Sequence, residues 1–239
     1  MALLFWSTLL ALPLAWRHRQ KVFEQFFEIG NVSLLMVCIL SFFIGGVITL
    51  QTAPVLVDRG LGSAVGGVVG IAICRELAPV MMSILIAGRI GSAMAAEIGS
   101  MRVYQEIDAL RTMNINPVHY LVLPRITAIA FALPMLVVFG ILVAWLGGAI
   151  VCILHDRIDI PFAGYLSSLQ DVVEVQDVVN GIIKSFVFAI VVGVVSCQQG
   201  LVTLVGPRGI GRSVTKAVVN SIVLIVIRDY VLTRVLLHS

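Results

Sequence analysis

Along the chain, long uncharged apolar stretches alternate with short charged segments, at a spacing set by a bilayer and not by a soluble core. Residues 29–57 and 126–154 carry no charged side chain, and 185–207 is nearly as apolar despite Gln198 and Gln199. Each reaches the roughly 20 residues a spanning helix requires. Residues 60–96 are too long for one simple span and are interrupted by Arg75-Glu76 and Arg89. The pattern predicts a span at 77–96 and a separate helix at 60–74, packed in or against the outer leaflet. A fifth span is predicted at 213–235, uncharged from Ala217 to Ile227, with Lys216, Arg228, Asp229 and Arg234 toward its ends, where long side chains can snorkel. The fold class predicted is all-α integral membrane protein.

Residues 1–16 are also apolar, but a cleavable leader places its positive charge before the apolar core, and here Arg17, Arg19 and Lys21 follow it. With Pro13 near its end this segment is short for a span, so an interfacial helix anchored by Trp6 and Trp16 is predicted. Domain organisation follows: an N-terminal interfacial segment over 1–28, then a single transmembrane domain over 29–239. Five spans do not divide into two inverted halves of the kind many secondary transporters use.

Composition agrees with this division. Hydrophobic residues make up 59% of the chain and charged ones 12%, with a mean hydropathy of +1.06; a soluble domain carries about 25% charged residues. The net charge of +3 is too small to suggest a nucleic-acid partner. Where the cations fall is more informative. Arg17, Arg19 and Lys21, then Arg102, Arg111 and Arg125, then Arg208, Arg212 and Lys216 occupy alternate loops, which the positive-inside rule assigns to the cytoplasm. The stretch 155–180, with Asp156, Asp159, Asp171, Glu174 and Asp177, is expected to be solvated and periplasmic. The N-terminus is thus expected inside and the C-terminus outside. Cys38, Cys74, Cys152 and Cys197 are scattered singly, with no CxxC pair, and are expected to be packing residues.

Three local patterns carry chemistry. Arg75-Glu76-Leu77-Ala78-Pro79 sets two ionisable side chains between apolar runs, where they are costly and face a partner, a cavity or a pathway. It is read either as a salt bridge capping the helix at the periplasmic interface or, preferred here, as the polar mouth of a site for an amphiphile's head group. Arg89 is expected to be structural. Small residues recur every fourth position at Gly62, Gly66 and Gly70, and again at Ala87, Gly91, Ala95 and Gly99, which predicts close helix packing.

The third pattern is a short amphipathic helix over 100–113, with Ser100 as N-cap and Asn114-Ile115-Asn116-Pro117 as its stop. Val103, Ile107 and Leu110 form one face, and Arg102, Gln105, Glu106, Asp108 and Arg111 the rest. Interfacial helices resting on lipid favour a basic polar face. The mixed charge favours a docking surface for a cytoplasmic protein.

The run RELAPVMMSILIAGRIGSAMAAEIGSMRVYQEIDALRTMNINPVHYLVLPR, from Arg75 to Arg125, resembles the signature stretch of the MlaE permease family. FFIGGVITLQ at 42–51 resembles its first span, and 184–200 with 209–233 its last two. The resemblance implies a homodimeric inner-membrane permease with an N-terminal interfacial helix and five transmembrane helices. It implies partnership with a cytoplasmic ABC ATPase that uses ATP and Mg, a periplasmic MCE-domain protein and a small STAS-domain protein. It further implies phospholipid movement between inner and outer membranes, supporting outer-membrane lipid asymmetry, through a pocket at the dimer interface. By position, Ile48, Val55, Leu56, Arg75, Glu76 and Leu77 would bind the lipid. The helix 100–113 would be the coupling helix, between the second and third spans.

The chain holds no GxxxxGK[ST] loop, so any ATP hydrolysis by that route belongs to a partner. A membrane enzyme acting on lipids would need converging acid–base or metal groups, yet His18, His119, His155 and His238 are far apart in sequence. A secondary transporter, a channel and a passive anchor are the other readings. Co-purification of an ABC ATPase separates all of these from the permease.

Overall fold

A chain in lipid must satisfy its backbone N–H and C=O groups internally, and a helix does so within one segment. The computed structural model describes residues 19–155, 158, 160–203 and 206–236, and among them every regular element is helical. In chain order these are α1 (Arg19–Asp58), α2 (Gly62–Val103), α3 (Glu106–Thr112), α4 (Val118–Leu154), α5 (Phe162–Val172), α6 (Val175–Leu201) and α7 (Pro207–Leu236). Among the described residues five helices, α1, α2, α4, α6 and α7, are long and apolar enough to cross a membrane. The interfacial helix expected at 1–16, with Trp6 and Trp16, lies outside the described residues. Residues 19–28 continue into the first spanning helix without a break.

Three segments differ from expectation. Residues 60–74 are not a separate helix: α2 opens with a 3-10 turn at Gly62–Ala64 and runs through a π turn at Ile73–Leu77 and a second at Ala87–Gly91. The fourth span begins earlier than expected, at Val175, and ends at Leu201. The segment 155–180 is also not uniformly solvated. It contains α5, whose Tyr165, Ser168 and Leu169 are buried, and Asp177, which is buried in the first turn of α6.

The described residues fall into two compact units, one built from 19–32, 83–133 and 186–236, the other from 33–82 and 134–185. The second is held by glycine contacts. A Cβ on Gly45 would lie 1.9 Å from the Ala144 carbonyl oxygen, and one on Gly147 would lie 2.2 Å from that of Phe42. The backbones of α1 and α4 therefore touch, the close approach that drives helix association where lipid removes the hydrophobic incentive. The start of α2 packs on α5 in the same way: Gly66 meets the Tyr165 carbonyl, and Gly70 meets Val173 and Leu169. The Gly67 N–H, one of the donors that a helix start leaves unpaired, donates to Ser168 Oγ at 3.0 Å. Tyr165 fills this junction, and burial raises its phenol above the usual value, which keeps it neutral.

The first unit centres on Ile98, Ile107, Leu121, Val122, Ile126, Val194 and Cys197. Here the second small-residue stripe meets α6 and the turn after it, with a Cβ on Gly91 2.8 Å from Ser196 Oγ and one on Gly99 2.8 Å from Thr203 Oγ1. α7 lies along 92–103 with Ser213, Ala217, Ser221 and Ile225 buried. Arg125 of α4, almost fully buried, is paired with Glu97 of α2 at 2.8 Å. Cys74, Cys152 and Cys197 are buried and Cys38 half-buried, all as free thiols.

Candidate functional site

Proline at 79 brings no N–H, so the carbonyls one turn before it lose their helical donor. The backbone answers with the π turn, in which the Ala78 N–H donates to the Ile73 carbonyl. α6 answers from outside: Lys184 Nζ donates to the Arg75 carbonyl at 3.0 Å and to Glu76 Oε1 at 2.8 Å. Arg75 Nε in turn donates to Asp177 Oδ1. Asp177 also accepts from the Glu174 N–H at 3.1 Å, which caps the start of α6 and places a negative charge in its first turn.

Asp177, Gly181 and Lys184 share one face of α6. Gly181 between the two charges lets the Cys74 carbonyl within 2.4 Å of where a Cβ would stand. The four charges are thus paired crosswise between two helices. Side-chain exposure divides them: Asp177 and Lys184 are 3% exposed, while Arg75 is 42% and Glu76 41%. The buried members satisfy and orient the pair, and Arg75 and Glu76 keep a face toward the surroundings. π turns of this kind occur often at functional sites.

The other predicted lipid contacts lie in the same unit. Leu77 closes the π turn and is half-buried, Ile48 and Leu56 are half-buried on α1, and Val55 is exposed. The close contacts of α1 around them run to α4 and α5, with Gly46 facing Val151 and Thr49 beside Tyr165 at Gly148. The structure therefore brings Arg75, Glu76 and Leu77 together on one turn and sets Ile48, Val55 and Leu56 on another helix. Arg89 lies in the second π turn and lines a small cavity of about 140 Å³ with Gln25, Glu28 and Glu97.

The predicted coupling residues occupy the first unit, with corrected boundaries. Ser100 is not an N-cap. α2 continues past it to Val103, where the Tyr104 N–H donates to the Ser100 carbonyl, and the chain then turns at Gln105 with φ +60°. α3 spans only Glu106–Thr112, and Asn114, also at φ +60°, ends the turn that follows. Arg102 thus belongs to the last turn of α2, Gln105 is the corner, and Glu106, Asp108 and Arg111 lie on α3. Asp108 accepts from Arg102 Nη1 at 2.8 Å and from Arg111 Nη1 at 3.4 Å, tying corner to helix. Ile107 is buried, as expected, whereas Tyr104, Met113 and Ile115 are exposed.

The family pattern described as Permease MlaE matches residues 22–235. The chain belongs to the MlaE permease family. It is 37% identical over 213 residues to a probable ABC transporter permease protein of Rickettsia felis, covering 89% of this chain and 82% of that one. It is 37% identical over 216 residues to a probable ABC transporter permease protein of Synechocystis sp., covering 90% and 81%. It is also 38% identical over 217 residues to Protein TRIGALACTOSYLDIACYLGLYCEROL 1, chloroplastic, of Arabidopsis thaliana, covering 90% and 61%. This MlaE-family chain is an ABC transporter permease and a multi-pass membrane protein. Sequence reasoning missed Asp177 and Lys184, whose residue types among loop charges gave no sign of burial. The one available signal was their seven-residue spacing, which puts both on one helical face.

Proposed function

We propose that the chain is the permease subunit of an ATP-driven transporter that moves phospholipid between the inner and outer membranes. Arg75 and Glu76 form the polar mouth of the lipid pocket. The observation that supports this most is the pair's half-open state. α6 supplies two buried charges, and the π turn presents two accessible ones that a polar head group can reach. Arg75 serves the lipid phosphate, and Leu77, Ile48, Val55 and Leu56 supply the apolar walls that acyl chains require. The name of the chloroplast relative, which contains a glycolipid, is consistent with a lipid substrate.

Two copies of the chain enclose the pocket at their interface in this reading, and an MCE-domain protein receives lipid on the periplasmic side. The motor is a cytoplasmic ABC ATPase using ATP and Mg, with a STAS-domain protein attached to it. It docks on the segment from Arg102 to Ile115, where Tyr104 and Met113 offer exposed apolar contacts beside the Arg102–Asp108–Arg111 cluster. The N-terminus lies in the cytoplasm and the C-terminus in the periplasm. A photo-crosslinker at Leu77, activated in native membranes, should capture phospholipid. Capture of protein alone would leave Arg75 and Glu76 as a structural cap.

A further inference from the structure

We infer that the start of α7 forms a second anion site, which holds the phosphate head group of an anionic phospholipid from the surrounding leaflet. Its residues belong to the first unit, whereas Arg75 and Glu76 belong to the second. Between the end of α6 and the first turns of α7 is a cavity of about 460 Å³, lined by Gln199, Val202, Arg208, Arg212, Ser213 and Lys216 among others. Arg208, Arg212 and Lys216 recur every fourth residue and so share one face of α7. All three are exposed, and among the described residues no carboxylate pairs with any of them. Several other cations of the unit are engaged: Arg125 with Glu97, Arg102 and Arg111 with Asp108, Lys21 over the Tyr120 ring. Three unpaired cations around one cavity set up a field that a multivalent anion relieves.

The face below them selects a lipid over a soluble phosphate. Continuing down α7 from Lys216 at helical spacing come Val219, Val223 and Val226, all exposed. Val202 at the rim is exposed as well. Cationic side chains followed on the same face by a bare apolar strip match an amphiphile whose phosphate sits in the cavity and whose acyl chains lie along the helix. Basic pockets between spanning helices bind anionic head groups by the same physics. Pro207 at the first helical position starts α7 abruptly after the Gly206 turn at φ +96°, which fixes where the cations emerge.

The test is retention of phosphatidylglycerol by the purified full-length protein in phosphatidylcholine nanodiscs doped with that lipid, read by native mass spectrometry. The wild type should hold phosphatidylglycerol in preference to phosphatidylcholine. Each basic side chain near an anionic lipid strengthens attachment by about fivefold, so the triple variant Arg208→Gln/Arg212→Gln/Lys216→Gln should weaken retention by about a hundredfold. The variant Arg208→Lys/Arg212→Lys, which keeps the charge, should retain the lipid, and so should Arg59→Gln, an exposed charge elsewhere. If the triple variant fails to fold, Arg212→Gln alone should still show about a fivefold loss. Equal retention by the wild type and the neutral variants would overturn the proposal, and release of the lipid by excess inorganic phosphate would reassign the cavity to a soluble anion. The readout is independent of transport, so it stands or falls separately from the Arg75–Glu76 pocket.

Discussion

Lys184 is the residue on which the charged cluster turns, because its single ammonium satisfies both Glu76 and the carbonyl that Pro79 leaves without a donor. Removing one partner of a fully buried pair costs about 3–5 kcal/mol; with Glu76 partly in contact with its surroundings, Lys184→Met should cost about 2 kcal/mol. Thermal unfolding of the purified protein in detergent measures this, and an unchanged midpoint would mean the pair carries no stability. Gly181→Val should cost more, about 3 kcal/mol, because the atom it strikes is the Cys74 backbone carbonyl, which has little freedom to move aside. These two partners were not legible in the sequence. Asp177 reads as one more acid in a charged loop, and what buries it is an arginine far along the chain at position 75.

At the scale of elements, lipid makes the spans easy to read, since every long uncharged stretch must become helix. What local pattern could not show is where helices run on or break. Arg75-Glu76-Pro79 looks like an interruption, yet α2 passes through it because α6 neutralises both charges and a π turn absorbs the proline. Ser100 looks like a cap, yet α2 continues past it and the break comes at Gln105. The small-residue stripes were legible, because only glycine and alanine let helices meet this closely in lipid. Gly91→Leu should therefore push Ser196 aside and weaken the α2–α6 contact, lowering the yield of monodisperse protein on size exclusion. In α3, Asp108 holds Arg102 and Arg111, so Glu106→Lys/Asp108→Lys should replace a balanced surface with a basic one and break the corner. Co-purification of the ABC ATPase should fall sharply; undiminished ATPase recovery would remove α3 from the docking surface.

For the whole molecule, the proposed topology, with five spanning helices among the described residues, is tested by its sidedness. A reporter active only in the cytoplasm should stay silent when fused after Leu236 and give signal when fused within 104–117. The proposed role of Arg75 and Glu76 is to line a phospholipid path driven by a partner ATPase. Its most direct test is the complex purified through this chain, reconstituted with labelled phospholipid, and supplied with ATP and Mg. The wild type should move lipid to an acceptor only while ATP is hydrolysed. Glu76→Lys, inserted and assembled normally, should hydrolyse ATP with lipid transfer reduced to background; transfer at the wild-type rate by that variant would contradict the account.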